Sequence, residues 1–303
     1  MIEVSKQKFI KEVSLQLYKP AIFGLKINIK IIMIEKLKTG WELLLKGDYA
    51  SLSEMIYGKL YRGYYNFLFI FNKRSKSELT DYNLKVETDY KIAFDSPDHI
   101  APCGTKLDNN TNRSFIFLMN KLLHREFPNR QLKFLDLGCA GGQLVRDFKD
   151  LGYISVGLEG SDYSLKHKRA NWPLLAGKSL FTCDIAKPFE VKLEDKKIKF
   201  NLITAWEVLE HIRTEELDNV FKNIINHLEE GGYFIASTSS DSSMNEGLEL
   251  HQTRMVNEEW LKYIQAKYRE LMPVDLGLRY YQYVRFRCTT LHGENSFLVY
   301  RKR

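Results

Sequence analysis

Phe134-Leu135-Asp136-Leu137-Gly138-Cys139-Ala140-Gly141-Gly142-Gln143-Leu144-Val145 carries a short apolar run into a turn of small residues, and that turn opens a helical pattern. Small side chains let a ligand approach the backbone, and the first turn of a helix offers unpaired N–H groups to an anionic group. Alone, such a loop is shared by nucleotide-binding folds of several kinds, and a tight strand–helix turn with no ligand has the same residues. The flanking sequence narrows the choice.

From Lys133 onward short apolar runs alternate with helical stretches. Phe134–Leu137, Ser155–Leu158, Leu180–Cys183, Leu202–Ala205 and Tyr233–Ser237 read as buried strands, and Gln143–Leu151, Glu215–Leu228 and Asn257–Leu271 read as helices. Alternation of this kind predicts a mostly parallel sheet covered on both faces, with ligands bound beyond the carboxyl ends of its strands. Three of those ends carry suitable chemistry. Val156-Gly157-Leu158-Glu159 ends on a carboxylate about twenty residues after the glycine loop, placed to accept from two ribose hydroxyls. Phe181-Thr182-Cys183-Asp184 ends on a second carboxylate, suited to an adenine amino group. Phe200-Asn201-Leu202-Ile203-Thr204-Ala205-Trp206-Glu207-Val208-Leu209-Glu210-His211 then runs a strand into a segment bearing Glu and His.

Taken in order, these segments resemble the class I, Rossmann-like S-adenosylmethionine methyltransferases over residues 133–303. Asp136 through Gly142 is similar to the first motif of that family, Glu159 to its ribose carboxylate, Asp184 to its adenine-side acid, and Asn201 through His211 to its fourth motif. The segment Leu228-Glu229-Glu230-Gly231-Gly232-Tyr233 looks like its approach to the fifth strand. The resemblance implies an α/β fold: a seven-stranded, mostly parallel sheet with helices on both faces, preceded by an N-terminal helical segment. It implies S-adenosyl-L-methionine as cofactor. It assigns cofactor contacts to Asp136, Gly138, Cys139, Ala140 and Gly142, to Glu159 and Gly160, to Asp184 and Ile185, and to Trp206 and Glu207.

Two positions depart from the family pattern. Ala140 replaces the middle glycine of G-x-G-x-G, a small change beside the extra Gly141. Asn201 replaces a commoner Asp before the fourth strand, and with only Asp241 and Glu246 scattered beyond it no metal site is expected. A nicotinamide dehydrogenase would show G-x-G-x-x-G near the start of a domain, whereas here position 140 is Ala and the Glu-His segment has no counterpart.

The acceptor is less legible. The Glu-Val-Leu-Glu-His segment is similar to bacterial O-methyltransferases of small molecules and sugars, which implies a hydroxylated small-molecule or glycan acceptor. Such a reaction needs in-line geometry and a base for the hydroxyl proton. His251, after the fifth strand, His211, after the fourth, and His99, on the preceding loop, are the candidate bases. Each has a bland reading as well: a helix hydrogen bond for His211, a surface loop for His251, a turn cap for His99. The tyrosine run 280–283 can line an acceptor pocket or simply pack as a strand.

Upstream, three regions follow from composition. Residues 1–76 form a basic, aromatic-rich segment with helical patterning; they hold 14 Lys/Arg and 6 Asp/Glu, a net +8, which leaves −1 for the remainder. That field selects polyanions, an anionic membrane surface or RNA, as partners of the segment. Residues 77–132 read as a linker, a polar loop around Asp95–Asn110 and a leading helix capped by Asn112. Ala21–Ile34 is broken by Lys26 and Lys30 and is too short to span a bilayer. Four dispersed cysteines and a lysine-interrupted start predict a reducing cytosolic location, peripheral to a membrane if the basic segment binds one. An RNA or protein methyltransferase using the basic segment, or a cofactor-binding protein without turnover, are the alternatives.

Overall fold

A computed structural model describes residues 60, 63–74, 81–109, 111–276 and 295–303. The apolar stretch 21–34, the inward candidates Leu43, Leu44, Leu45, Leu52, Met55 and Ile56, the run Tyr280-Tyr281-Gln282-Tyr283, Cys288 and His292 lie outside the described residues. In chain order the first elements are α1 (63–72), β1 (Leu84–Glu87), α2 (Pro97–Ile100), α3 (Cys103–Leu107), α4 (Arg113–Glu126), β2 (Lys133–Leu137), α5 (Gln143–Asp150) and β3 (Ile154–Glu159). There follow α6 (Tyr163–Lys166), α7 (Trp172–Leu175), β4 (Leu180–Thr182), β5 (Glu190–Leu193), β6 (Lys196–Lys197) and β7 (Phe200–Trp206). The chain continues through α8 (Leu217–His227), β8 (Leu228–Ser239), β9 (Met244–Asn245), β10 (Leu248–Glu249), α9 (Asn257–Lys267), β11 (Leu271–Pro273) and β12 (Asn295–Lys302).

Seven strands form one sheet in the order β11-β12-β8-β7-β2-β3-β4. All pairs from β4 to β8 are parallel, and β12 runs antiparallel to both of its neighbours. This is the seven-stranded, mostly parallel sheet expected from the motifs. Side chains of successive strand residues face opposite layers, which is why the central strands read as unbroken apolar runs. On β2, Phe134 packs with Phe115 and Met119 of α4 and Val145 and Phe148 of α5, whereas Leu135 and Leu137 join Phe221 and Ile224 of α8 and Trp260 and Ile264 of α9.

Three features differ from the sequence reading. The last helix ends at Lys267 and Leu271 begins an edge strand, whereas the spacing had carried the helix through Leu271. Ile264, Tyr268 and Leu271 are all buried, so the helical rhythm of apolar residues outlives the helix itself. The polar segment 95–110 contains two short helices, α2 and α3, where an irregular loop was expected. Finally β1 pairs antiparallel with β5, and β5 with β6, making a small side sheet. Residues 63–72 pack Phe69 into the core beside Phe115 and Phe148, so part of the segment 1–76 is built into the same compact unit as the sheet.

Phe148 is fully buried under the glycine loop, its ring 4.0 Å from that of Phe134 and 5.1 Å from that of Tyr153. Phe148→Ala is expected to cost about 3–5 kcal/mol, read as a lowered urea midpoint with an unchanged slope. A loss below about 1 kcal/mol would show that the layer beneath the loop repacks freely.

Candidate active site

The strand order reverses between β2 and β7, and a cavity of about 330 Å³ opens at the carboxyl ends of the strands there. Of the residues assigned to cofactor from sequence, Gly138, Ala140, Glu159, Gly160, Asp184, Ile185, Trp206 and Glu207 line it. Asp136, Cys139 and Gly142 do not; they build the loop from behind. Asp136 is buried and accepts from the Thr204 hydroxyl across the β2–β7 pair at 2.6 Å. Burial beside Glu159 and Asp136 pushes the Cys139 thiol well above its usual range, which keeps it neutral and unreactive.

Glu159 ties the site together. Its Oε2 accepts from Ala140 N–H at 2.7 Å, and its Oε1 accepts from Ser161 N–H at 3.2 Å and from the Thr105 hydroxyl at 3.5 Å. A carboxylate has about four acceptor positions, so room remains for a ligand hydroxyl. Burial nonetheless raises its pKa to about 7, because desolvation outweighs those donors. Asp184 is also raised by burial, while its Oδ1 accepts from Ala186 N–H at 2.9 Å. At Gly138, where φ is +68°, an added Cβ would overlap the Val208 side chain, so the backbone passes where only glycine fits. Ala140 at φ 45° and Glu207 at φ 51° hold left-handed conformations at the cavity wall, each costing about 1–2 kcal/mol. Ser237 clamps Glu207, its carbonyl accepting from Glu207 N–H at 2.9 Å and its hydroxyl donating to Oε1 at 2.6 Å.

The far end of the cavity holds His211 and His251, whose rings meet edge to face at 4.8 Å. His251 Nδ1 lies 2.6 Å from the Asp241 carbonyl oxygen, to which it can only donate, so its Nε2 carries the lone pair. Burial, with His211 beside it, lowers its pKa, and the ring is held neutral. His211 is different. Burial opposes its charge, but Asp98, with Oδ2 3.0 Å from Nδ1, and then Glu210 and Glu159 outweigh burial and raise its pKa. That Nδ1 makes no aligned hydrogen bond. His99 does not line the cavity; its ring packs on Phe94 and its Nδ1 is buried without a hydrogen-bond partner.

The sequence points to the segment before the domain closing over the histidines with His99; residues 93–109 do form a strap there, but through other contacts. Ala93 N–H donates to Gly160 O, Asp95 pairs with Arg213 at 2.7 Å, Asp98 with His211, and the Asp108 carbonyl accepts from Gly141 N–H and from Arg169. Asp98-His99 was in view, but only the fold shows that the aspartate, not the histidine, faces the cavity. Glu210, His211 and His251 each bring one ligand atom within 4.8 Å of the others, a spacing at which a cation can be held. Glu210 keeps one buried oxygen without a partner, and burial raises its carboxyl to about 7. Asn201 has no bearing on that trio: it lies at the opposite end of β7, where its Oδ1 accepts from Lys133 N–H.

Fold and cavity together define an α/β protein with a cavity at the switch point of its sheet. A family model described as a methyltransferase domain matches residues 112–282, more than half of the chain, and the chain belongs to that family. The family uses S-adenosylmethionine. The chain is 30% identical over 117 residues to a ubiquinone biosynthesis O-methyltransferase of Bartonella quintana, covering 39% of this chain and 42% of that protein. To a ubiquinone biosynthesis O-methyltransferase of Pelagibacter ubique it is 26% identical over 141 residues, covering 46% and 54%. The chain therefore spans about half the length of these relatives. A solved structure of magnesium protoporphyrin IX methyltransferase from Synechocystis PCC 6803 with bound SAH is 15% identical, with a TM-score of 0.44 over 69% of this chain and 96% of that one.

Two measurements on Glu159→Gln follow from its burial. Its folded pKa of about 7 lies above the ordinary 4.5, so the folded state binds the extra proton between those values. Stability from this group is complete below about pH 4.5 and is lost as pH rises through about 7, by up to about 3 kcal/mol. Thermal melts of the cofactor-free protein at pH 5.5 and pH 8 should show Glu159→Gln gaining on the parent at the higher pH. Calorimetry should show weaker S-adenosylmethionine binding by about 1.5–3 kcal/mol, the worth of hydrogen bonds to a charged acceptor. Unchanged affinity would remove Glu159 from the cofactor site.

Proposed function

We propose that the protein transfers a methyl group from S-adenosylmethionine to the hydroxyl of a small acceptor, a sugar or other hydroxylated molecule, with a histidine as base. One observation carries this reading: the cofactor cradle and the pair His211/His251 are walls of the same cavity. Support for an oxygen acceptor comes from the relatives, whose names are those of O-methyltransferases.

The residues present fit the cofactor. Gly138 and Ala140 offer backbone without bulk, Glu159 keeps acceptor capacity for ribose hydroxyls, and Asp184 stands at the next strand end. When bound, S-adenosylmethionine supplies an electrophilic methyl group, so the protein's own work is orientation and proton removal. Asp95, Asp98, Asp108, Glu159, Asp184, Glu207 and Glu216 line the cavity against Arg213 as its permanent cation, a balance that favours a positively charged ligand. His251, held neutral with its donor side on the Asp241 carbonyl, is ready to accept the acceptor's proton as the C–O bond forms. His211 is turned by Asp98 and stacks edge-on against it.

His251→Ala should lower turnover roughly a hundredfold or more while leaving S-adenosylmethionine affinity within about twofold. His211→Ala should do the same to a smaller degree. The assay offers labelled cofactor with a panel of sugars, phenols and RNA. Full activity in both variants would reject the histidine base. Activity lost in chelator and restored by magnesium would instead assign Glu210, His211 and His251 to a cation.

A further inference from the structure

Helix α1 is apolar on two sides. Its inner side is settled: Phe69 is 2% exposed, the Arg113 guanidinium lies 4.4 Å from its ring centroid, and Tyr65 meets Phe117 at 5.8 Å. The outer side is the reverse of what a surface helix normally shows. Tyr64, Phe67, Ile70 and Phe71 are 58%, 58%, 59% and 70% exposed. Spacings of three and four place Tyr64, Phe67 and Phe71 in one stripe, and the rings of Phe67 and Phe71 touch at 4.7 Å. None of these residues lines the catalytic cavity, so the chemistry described above does not need them.

The charges in the sequence of this stretch are of one sign. Residues 59–76 contain Lys59, Arg62, Lys73, Arg74 and Lys76 and no Asp or Glu. A short helix that exposes aromatic and aliphatic side chains and is flanked only by cations matches the two demands of a bilayer interface: an apolar layer to enter and anionic headgroups to meet. The described residues 63–72 make about 15 Å of helix, enough to lie in the interface. No described helix is long and apolar enough to span a membrane. RNA would satisfy the cations and stack on the rings, but it offers nothing to the exposed aliphatic side chain of Ile70.

We propose that the outward face of α1, Tyr64, Phe67, Ile70 and Phe71 with the flanking lysines and arginines, docks the protein on anionic lipid bilayers. The aromatic stripe enters the headgroup boundary, and the cations bind the lipid phosphates. Docking is separate from methyl transfer, since the face and the cavity share no residue.

The test is sedimentation of the full chain with phosphatidylcholine vesicles, with and without about a third phosphatidylserine. The parent should pellet with the anionic vesicles at low salt and much less at high salt. The double variant Phe67→Glu/Phe71→Glu should reduce the bound fraction at least about tenfold. Both positions are exposed, so its melting temperature and its affinity for S-adenosylmethionine should match the parent, which separates lost docking from lost folding. Equal sedimentation of parent and variant overturns the proposal, as does absence of binding to anionic vesicles at low salt. A parent that is dimeric by light scattering and becomes monomeric in the variant, without lipid binding, assigns the face to a second copy of the chain and also overturns it. Binding to RNA that the variant abolishes, with no vesicle binding, does the same.

Discussion

Burying the carboxylate of Glu159 is the constraint on which the site depends. A lone buried carboxylate is costly, and it is kept here by donors from three separate pieces of chain. Ala140 N–H comes from the glycine loop, Ser161 N–H from the turn after β3, and the Thr105 hydroxyl from α3 in the strap. Each donor fixes the segment that carries it. The glycine loop is held in its left-handed turn, β3 ends at one defined residue, and the strap is drawn over the cavity. The same group keeps acceptor positions open toward the cavity, so under the proposed function the interaction that organises the site would also serve a ribose hydroxyl.

The strap adds a wall to the cavity at the sheet edge. It brings Asp95 to Arg213 and Asp98 to His211, and so sets the electrostatics of a wall to which it is distant in sequence. The result is two histidines in contact with opposite tendencies, one drawn toward the charged form and one held neutral. Neighbouring groups whose environments push their pKa values apart are a recurring way to divide acid and base roles. Left-handed Ala140 and Glu207 lie in the same walls, which places backbone strain where ligand contact is expected.

The outer face of α1 shows a different principle. Its inner residues follow the ordinary logic of core packing, but its outer residues leave apolar surface in water beside a run of cations. Aromatic residues there are an energetic cost to a freely soluble protein and an asset to one that meets a lipid surface.

The sheet was legible because its signals are local. A buried parallel strand needs a continuous apolar run, the turn after β2 needs small residues, and strand-end acids such as Glu159 and Asp184 stand where the chain leaves the sheet. Those rules located the five parallel strands from residues alone, while the count of seven came with the family resemblance and the two antiparallel edge strands, β11 and β12, had no local signal. Local rules failed where a tertiary contact overrode them: the apolar rhythm through Tyr268 and Leu271 looks helical although the backbone has become an edge strand, and β1 takes its partner about a hundred residues away. The histidine end of the cavity was of this second kind. Asp98 and His99 are neighbours in sequence, and no pattern says which of them turns to the cavity; in the fold it is Asp98, which meets His211. His211 and His251 were visible separately, but their contact, their opposed charge preferences and the strap above them exist only once the chain has folded, because burial and through-space charge are properties of three-dimensional neighbours rather than of sequence.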